Sequence, residues 1–252
     1  YRTMAGHSKF KNIMHRKGAQ DKKRAKIFSR LGREISVAVK EGGPDPEKNI
    51  RLRSAVGSAK SLNMPKDNIE RAIKKGEGND PDSNYEEVRY EGYGPEGVAI
   101  IVEALTNNKN RTAAEVRSTF SKYGGNLGET GSVSFGFKRL GSIILNKSNI
   151  NEEDLFDFIV ENGSEDYELN DDEYNIYCDQ KILHQLNQKI IEKFGQTNFT
   201  GLVWKSENEI TVSKDKADTL FKLLNILEEN EDVQAVSSNF DVSDEVLASL
   251  TA

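Results

Sequence analysis

The chain has 252 residues, of which 36% are hydrophobic, and carries 35 Lys and Arg against 41 Asp and Glu, a formal net charge of −6. Together with 20 glycines, this apolar share is close to that of ordinary globular proteins, which excludes disorder throughout. The longest uninterrupted apolar run, Val98 to Val102, is far shorter than the roughly 20 residues that span a bilayer. We therefore expect no membrane helix. The lack of an apolar signal region and the single Cys178 predict a reduced, cytoplasmic protein with no internal disulfide and no cysteine-cluster zinc site.

The charges are divided unevenly along the sequence. Residues 1–78 contain 20 Lys and Arg against 8 Asp and Glu, whereas residues 79–252 contain 15 against 33. A separation of this size predicts a basic segment that binds a polyanion and an acidic body with another role. The alternative is a solvated helix face that happens to be basic.

The basic segment is predicted to contain a long helix between Gln20 and Lys40. Apolar residues recur every three or four positions, as on one face of a helix, at Phe28, Leu31, Ile35 and Ala38. At about 100° per residue, the opposite face carries Lys23, Lys26, Arg30 and Arg33. This arrangement predicts that the apolar stripe packs while the cations stay available to a ligand.

Two shorter helices are predicted to follow. Asp45 is the expected N-cap of the first, with Pro46 at its first helical position. The second is expected to open near Pro65 and to close at Gly76 as a left-handed cap residue. Lysines in its last turn suit the helix dipole as well as a phosphate ligand, so both interpretations stay open for them. We predict a small helical bundle over residues 4–80, leaving out residues 1–3, which precede a plausible initiator methionine.

Beyond residue 80 the pattern changes to mixed α and β. Strands and helices from Ser142 to Trp204 follow the order βαββαβ, which is the ferredoxin-like arrangement. A strand from Gly97 to Ala104, a helix, and alternation at Val133, Phe135 and Phe137 predict half of another such unit, completed by pieces after Ile210. The predicted fold is therefore α+β and multidomain, with an N-terminal helical bundle and two ferredoxin-like α/β domains. The expected domains are residues 4–80, residues 81–138 with 207–252, and an inserted domain of residues 139–206.

Catalytic and cofactor motifs are weak. Gly92, Gly94 and Gly97 have the spacing of a dinucleotide fingerprint, but a strand rather than a helix is expected after them, so a plain turn is favoured. His7, His15 and His184 are too scattered for a metal site, and none has a neighbouring nucleophile with an orienting carboxylate. We expect no catalytic residues, no metal and no cofactor, and hence a protein that is not an enzyme.

The basic residues form the strongest candidate site. Phosphate contacts supply most nonspecific nucleic-acid affinity, and guanidinium forks and lysine ammonium groups suit that work. The predicted nucleic-acid-binding residues are Lys9, Lys11, His15, Arg16, Lys17, Lys22, Lys23, Arg24, Lys26, Arg30, Arg33, Arg51, Arg53, Lys66, Arg71, Lys74 and Lys75. The pattern says little about DNA against RNA.

Several longer motifs carry a resemblance to a known family. They are residues 4–21, Lys26 to Phe28, Asn63 to Gly76, Tyr90 to Gly97, Asn110 to Ala113 and Gly124 to Gly128. With these motifs the chain resembles the YebC family over residues 4 to about 137, with Phe10 standing where many members have tryptophan. The resemblance implies an N-terminal helical domain and two α/β domains, one inserted in the other.

The resemblance also implies function. The family is described as bacterial DNA-binding transcriptional regulators, while its mitochondrial relatives resemble translational activators and some bacterial members are linked to ribosomes and to stalling on proline-rich stretches. We therefore expect a non-enzymatic regulator that binds duplex DNA through the basic helical domain. The alternative is a translation factor that binds ribosomal RNA through the same surface. The acidic domains are candidates for contact with the ribosome or another protein, and no membrane partner is expected.

Overall fold

The computed structural model describes residues 6–17 and 20–249, without the side chains of residues 12–17, 20 and 165. The helices are α1 (Gly6–Lys17), α2 (Gln20–Gly42), α3 (Ile50–Ser61), α4 (Lys66–Glu77), α5 (Lys109–Lys122), α6 (Glu152–Glu161), α7 (Leu183–Phe194), α8 (Lys214–Glu229) and α9 (Asp244–Ser249). The strands are β1 (Glu86–Tyr93), β2 (Ala99–Thr106), β3 (Asn126–Leu127), β4 (Phe137–Asn146), β5 (Ser164–Leu169), β6 (Glu173–Cys178), β7 (Phe199–Ser206), β8 (Ile210–Thr211), β9 (Val233–Ser238) and β10 (Phe240–Asp241). The predicted α+β multidomain class is confirmed.

The described residues fall into two compact units. The first unit comprises residues 28–83 and 139–203, and the second comprises described residues from 6 to 27, 84–138 and 204–249. Helix α1 and the first turns of α2 therefore group with the second unit, while the rest of α2 groups with α3 and α4. The three predicted domains, residues 4–80, 81–138 with 207–252, and 139–206, stay a prediction.

The helical part of the first unit packs α2 tightly against α4. Ile35, Ala38 and Val39 on α2 join a buried core with Ile69 and Ala72 on α4. The Ser36 hydroxyl donates to the Ala72 carbonyl over 2.8 Å. A Cβ atom added at Gly76 would lie 2.5 Å from the Ser36 carbonyl oxygen, so the two helices can approach this closely only because that residue is glycine.

The prediction that Gly76 is the cap residue at the end of this helix, α4, was therefore wrong. The helix continues to Glu77 and is followed by Gly78, whose N–H donates to the Lys74 carbonyl. Gly76 is buried inside the helix. A glycine placed by helix–helix packing and a glycine placed by helix termination look the same in sequence.

The start of α3 also differs from the prediction. Asn49, not Asp45, is the N-cap, and its side-chain oxygen accepts from the Leu52 N–H over 3.0 Å. The Asn49 amide donates to the carbonyls of Ala38 and Gly43, which ties the helix start to the end of α2. Asp45 instead accepts from the Glu47 N–H and closes a turn before the helix. The tertiary contacts of Asn49 explain why the helix begins four residues later than its local signals indicate.

The inserted part of the first unit forms a four-stranded sheet in the order β5-β6-β4-β7. In the chain order of these strands, this spatial order is 2-3-1-4, and it agrees with the predicted βαββαβ unit. Helices α6 and α7 supply Leu155, Ile159, Leu186 and Ile190 to its own buried core.

The second unit contains a four-stranded sheet in the order β3-β1-β2-β9. Here the strand between β2 and β3 is β1, which precedes both in sequence and was not predicted. Strand β8, expected to complete this sheet, pairs instead with β10 in a separate parallel pair. In the chain order of its own strands, this sheet has the spatial order 3-1-2-4 with the antiparallel pair β1 and β2 at its centre, so its strand order differs from that of the inserted sheet.

Helix α1 packs into the core of the second unit. Phe10 is almost fully buried among residues of β2, α5, α8 and β9. The buried His7 ring is 2.6 Å from the Ser238 hydroxyl oxygen through Nδ1 and 2.9 Å from the Val236 carbonyl through Nε2. Because a carbonyl only accepts, Nε2 carries the proton and Nδ1 accepts from the hydroxyl.

The alternating segment at Val133, Phe135 and Phe137 was predicted to be a half-buried strand, and that prediction was wrong. Residues Ser134–Gly136 form a short 3-10 turn, and only Phe137 begins a strand. Val133 and Phe137 are buried, whereas Phe135 is exposed.

Candidate nucleic-acid interface

The cations of α2 differ in how far they reach solvent. Lys22 and Arg24 are exposed, whereas Lys23, Lys26, Arg30 and Arg33 are partly buried. Lys26 Nζ and Arg30 Nε are inaccessible to solvent, and burial lowers the pKa of Lys23. The predicted cationic face of α2 is therefore partly buried in the protein. The aliphatic parts of its long side chains pack on the neighbouring surface.

The two arginines of α3 are held by groups of the same unit. Arg51 donates to Glu34 over 2.7 and 3.0 Å and to Glu41 over 2.7 Å, so two carboxylates neutralise its guanidinium. Arg53 donates to the backbone carbonyls of Pro46 and Glu47, each over 3.0 Å. These contacts stabilise the turn before α3, and Arg53 keeps its positive charge at the surface.

Helix α4 carries the most accessible group of predicted binding residues in the first unit. Arg71, Lys74 and Lys75 are exposed and lie three and four positions apart, so they share one side of the helix. Lys66 is exposed as well and lies 3.7 Å from Glu70, one turn along the helix. The four-residue connection from Leu62 to Pro65 joins α3 to α4 with the length of a helix-turn-helix, a feature that the sequence did not reveal.

The predicted cations of α1 belong to the second unit. Lys9 Nζ lies 3.2 Å from Asp244, and Lys11 Nζ lies 3.5 Å from Glu228. Both lysines therefore stand beside carboxylates of the α/β unit. The side chains of His15, Arg16 and Lys17, also predicted to bind, lie outside the described residues.

The glycine-containing loop between β1 and β2 was a candidate dinucleotide site. Pro95–Gly97 form a 3-10 turn between β1 and β2, and Gly97 has a φ of 76°. This geometry confirms the plain turn that we predicted in place of a dinucleotide loop. His184 is exposed on α7. Among the described residues, no three His, Cys, Asp or Glu are grouped to hold a metal ion, and no helix is long and apolar enough to cross a membrane.

Comparison with known families agrees with this architecture. Residues 8–79 match the model of the TACO1/YebC protein N-terminal domain, and residues 85–240 match the model of the TACO1/YebC second and third domain. The chain belongs to the TACO1/YebC family. The resemblance derived from the sequence motifs is thereby confirmed.

A solved structure supports membership of the TACO1/YebC family. The chain is similar to the crystal structure of a conserved hypothetical protein from Aquifex aeolicus, with 44% identity and a TM-score of 0.82. The match covers 89% of this chain and 93% of that chain. The model that matches residues 85–240 is named Transcrip_reg, so the family is generally similar to transcriptional regulators.

Proposed function

We propose that the chain is a non-enzymatic, DNA-binding transcriptional regulator that acts in the cytoplasm and binds the phosphate backbone through its basic helices. The observation that carries this proposal is the exposed trio Arg71, Lys74 and Lys75 on one side of α4. Lys22 and Arg24 on α2 add two more exposed cations. Such groups neutralise phosphates and release counterions, which drives binding without any base contact.

Two further observations support duplex DNA as the ligand. The short connection between α3 and α4 has the length found in helix-turn-helix proteins, in which the second helix enters the major groove. The model that matches residues 85–240 is named for transcriptional regulation.

A translation factor that binds ribosomal RNA is the second candidate. The observation that favours it is the presence of two exposed carboxylates, Asp67 and Glu70, next to Lys66 in the first turns of α4. The N-terminal residues of a recognition helix contact base edges within the phosphate-lined groove, and carboxylates there are repelled by the flanking phosphates. A surface that contacts only backbone fits folded RNA as well as duplex DNA.

The two candidates make different predictions in cells. The variant R71Q/K74Q/K75Q removes three exposed charges from α4 and leaves its buried face unchanged. A DNA-binding regulator would lose promoter occupancy, with altered transcript levels for a defined set of genes. A translation factor would leave the ribosome fractions of a sucrose gradient while the same transcripts stay constant.

The matched control is K181Q/K214Q/K216Q, which removes the same charge from three exposed lysines elsewhere. We expect this control to retain promoter occupancy. Ribosome co-sedimentation that is lost in the α4 variant, with promoter occupancy unaffected, would replace the first candidate by the second. Unchanged nucleic-acid binding by the α4 variant in both assays would contradict the whole proposal.

A further inference from the structure

A surface loop of the second unit presents an isolated aromatic side chain. Phe135 is 79% exposed, more than any other large hydrophobic residue of the described chain. It lies in the 3-10 turn Ser134–Gly136, directly before β4. Single exposed apolar residues are common and need no explanation by themselves. What distinguishes this one is the way in which the loop beneath it is held.

The loop is tied to the sheet by a buried carboxylate. Glu91 on β1 is 0% exposed and accepts hydrogen bonds from the backbone N–H groups of Gly131 (2.6 Å), Ser134 (2.7 Å) and Val133 (3.3 Å). Burial alone would raise the pKa of Glu91, but the hydrogen bonds from these N–H groups and from the Ser134 side chain outweigh it and hold the pKa below its ordinary value. Glu91 therefore stays ionised and organises the backbone of the turn.

A second layer of contacts fixes Glu91 itself. Arg89 Nε donates to Glu91 over 3.0 Å, and the Arg89 guanidinium lies 5.1 Å from the ring centre of Trp204. Trp204 packs against the small core that contains Val133 and Phe137, the residues on either side of the turn. Both ends of the turn are thus anchored while Phe135 between them points into solvent. An aromatic side chain on an anchored backbone loses less conformational freedom when it binds, which is a property of preorganised recognition elements.

The charge of the turn indicates the kind of ligand. The segment from Gly131 to Lys138 contains no acidic residue and ends in the exposed cation Lys138, whose Nζ lies 3.4 Å from Glu207. Glu91, the carboxylate beneath the turn, is compensated by Arg89. An exposed aromatic ring close in sequence to a cation is a combination with which proteins stack unpaired bases of single-stranded nucleic acid.

We propose that Phe135 is a stacking platform for an unpaired nucleobase of single-stranded RNA or DNA, and that Glu91 is the positioning residue that holds the platform in place. This proposal rests on the proposed nucleic-acid-binding function and adds a second contact to it. The basic helices bind backbone phosphates, and Phe135 binds a base that is not paired. Stacking tolerates any base, because each base has a π-face.

The test uses the full chain and two fluorescent probes, a single-stranded 12-mer RNA and a duplex 12-mer, across a range of salt concentrations. Replacing Phe135→Ala should weaken binding of the single strand about 5- to 100-fold, as expected for the loss of one stacked base. The dependence of its affinity on salt should not change, because no charge is removed. Duplex affinity should stay as in the parent chain, and Phe135→Trp should retain or strengthen single-strand binding.

The control for a general loss of exposed aromatic surface is Phe156→Ala, since Phe156 on α6 is 43% exposed and lies outside this loop. It should leave both affinities unchanged. Glu91→Gln should weaken single-strand binding with an unchanged salt dependence. It should also shift the emission of Trp204, the single tryptophan, whereas Phe135→Ala should leave that emission unchanged.

Single-strand binding that is unaffected by Phe135→Ala would overturn the stacking proposal, and so would an equal loss of duplex binding. If the parent chain binds neither probe, the proposed function fails together with it. If R71Q/K74Q/K75Q weakens binding while Phe135→Ala does not, the proposed function stands and only the stacking platform is rejected.

Discussion

The ring of Phe10 on α1 lies 4.7 Å from the ring of Phe221 on α8, centre to centre, although 211 positions separate them in the sequence. Phe10 also packs edge-on toward Phe240, and His7 one turn earlier packs toward the same ring. A Cβ atom at Gly6 would lie 2.7 Å from the Phe240 carbonyl oxygen, so the start of α1 presses directly on β10. The basic N-terminal helix is therefore part of the core of the acidic α/β unit.

The first prediction concerns the stability that this packing provides. Phe10→Ala should lower the free energy of unfolding of the full chain by about 3–5 kcal/mol, the usual cost of deleting a buried phenylalanine ring. Urea unfolding followed by circular dichroism measures it. Phe135→Ala, at an exposed position, is the control and should change stability by less than about 0.5 kcal/mol. A Phe10→Ala chain as stable as the parent would show that α1 is dispensable for the fold.

The second prediction is a pH dependence that originates at His7. Burial lowers the pKa of His7 to about 3, with Lys11 acting in the same direction and Glu228 and the hydrogen bond to Val236 opposing it. The unfolded chain protonates this residue near pH 6.5, while the folded chain keeps it neutral. The stability is therefore complete above about pH 6.5 and is lost as the pH falls toward 3, by up to about 1.4 kcal/mol per pH unit.

Urea unfolding between pH 7.5 and 5 tests this prediction in a range where carboxyl groups contribute least. His7→Gln should be less stable than the parent chain at pH 7.5, because it loses the fitted ring, but its stability should fall less steeply with acid. His184 is present in both chains and cancels in the comparison. Equal slopes in the two chains would show that His7 is not the titrating group.

Local sequence signals predicted much of this fold. The apolar period of α2 and the βαββαβ order of the inserted sheet are visible in the sequence, because each depends on neighbouring residues. The N-terminal motifs also identified the family. The location of α1 was not predictable, because it depends on contacts between Phe10 and residues more than 200 positions away. The same holds for Asn49 and Gly76, whose roles are set by other helices.

The candidate site was predicted in composition but not in accessibility. The charge separation pointed to the basic helices, yet the partly buried Lys26 and the carboxylate-bound Arg51 look like any other cation in sequence. Glu91 was missed altogether, since a carboxylate that caps a turn some 40 residues away leaves no local pattern.

The third prediction compares two glycines of the helical bundle. Gly76→Ala would place its Cβ 2.5 Å from the Ser36 carbonyl oxygen and 2.7 Å from Val39 Cβ, so α2 and α4 must move apart. We expect a loss of about 1–3 kcal/mol, as for other overpacked sites. Gly32→Ala on α2 is the matched control, because its Cβ would meet nothing closer than 4.0 Å. It should raise stability by up to about 1 kcal/mol through helix propensity, and thermal unfolding of both variants measures the difference.

The fourth prediction compares the exposed cations of α4 with the cations of α1 that lie beside carboxylates of the second unit. Affinity for a duplex falls with salt by about 0.9 log units per log unit for each phosphate neutralised. R71Q/K74Q/K75Q should therefore reduce this slope by up to about 2.7, if each residue makes one contact.

K9Q/K11Q removes two charges that already lie beside Asp244 and Glu228, so it should change the slope much less than its charge indicates. Fluorescence anisotropy titrations from low to moderate salt measure both slopes. A larger change for the α1 pair than for the α4 trio would mean that the ligand displaces those carboxylates, and would move the centre of the interface from the helical bundle to the second unit.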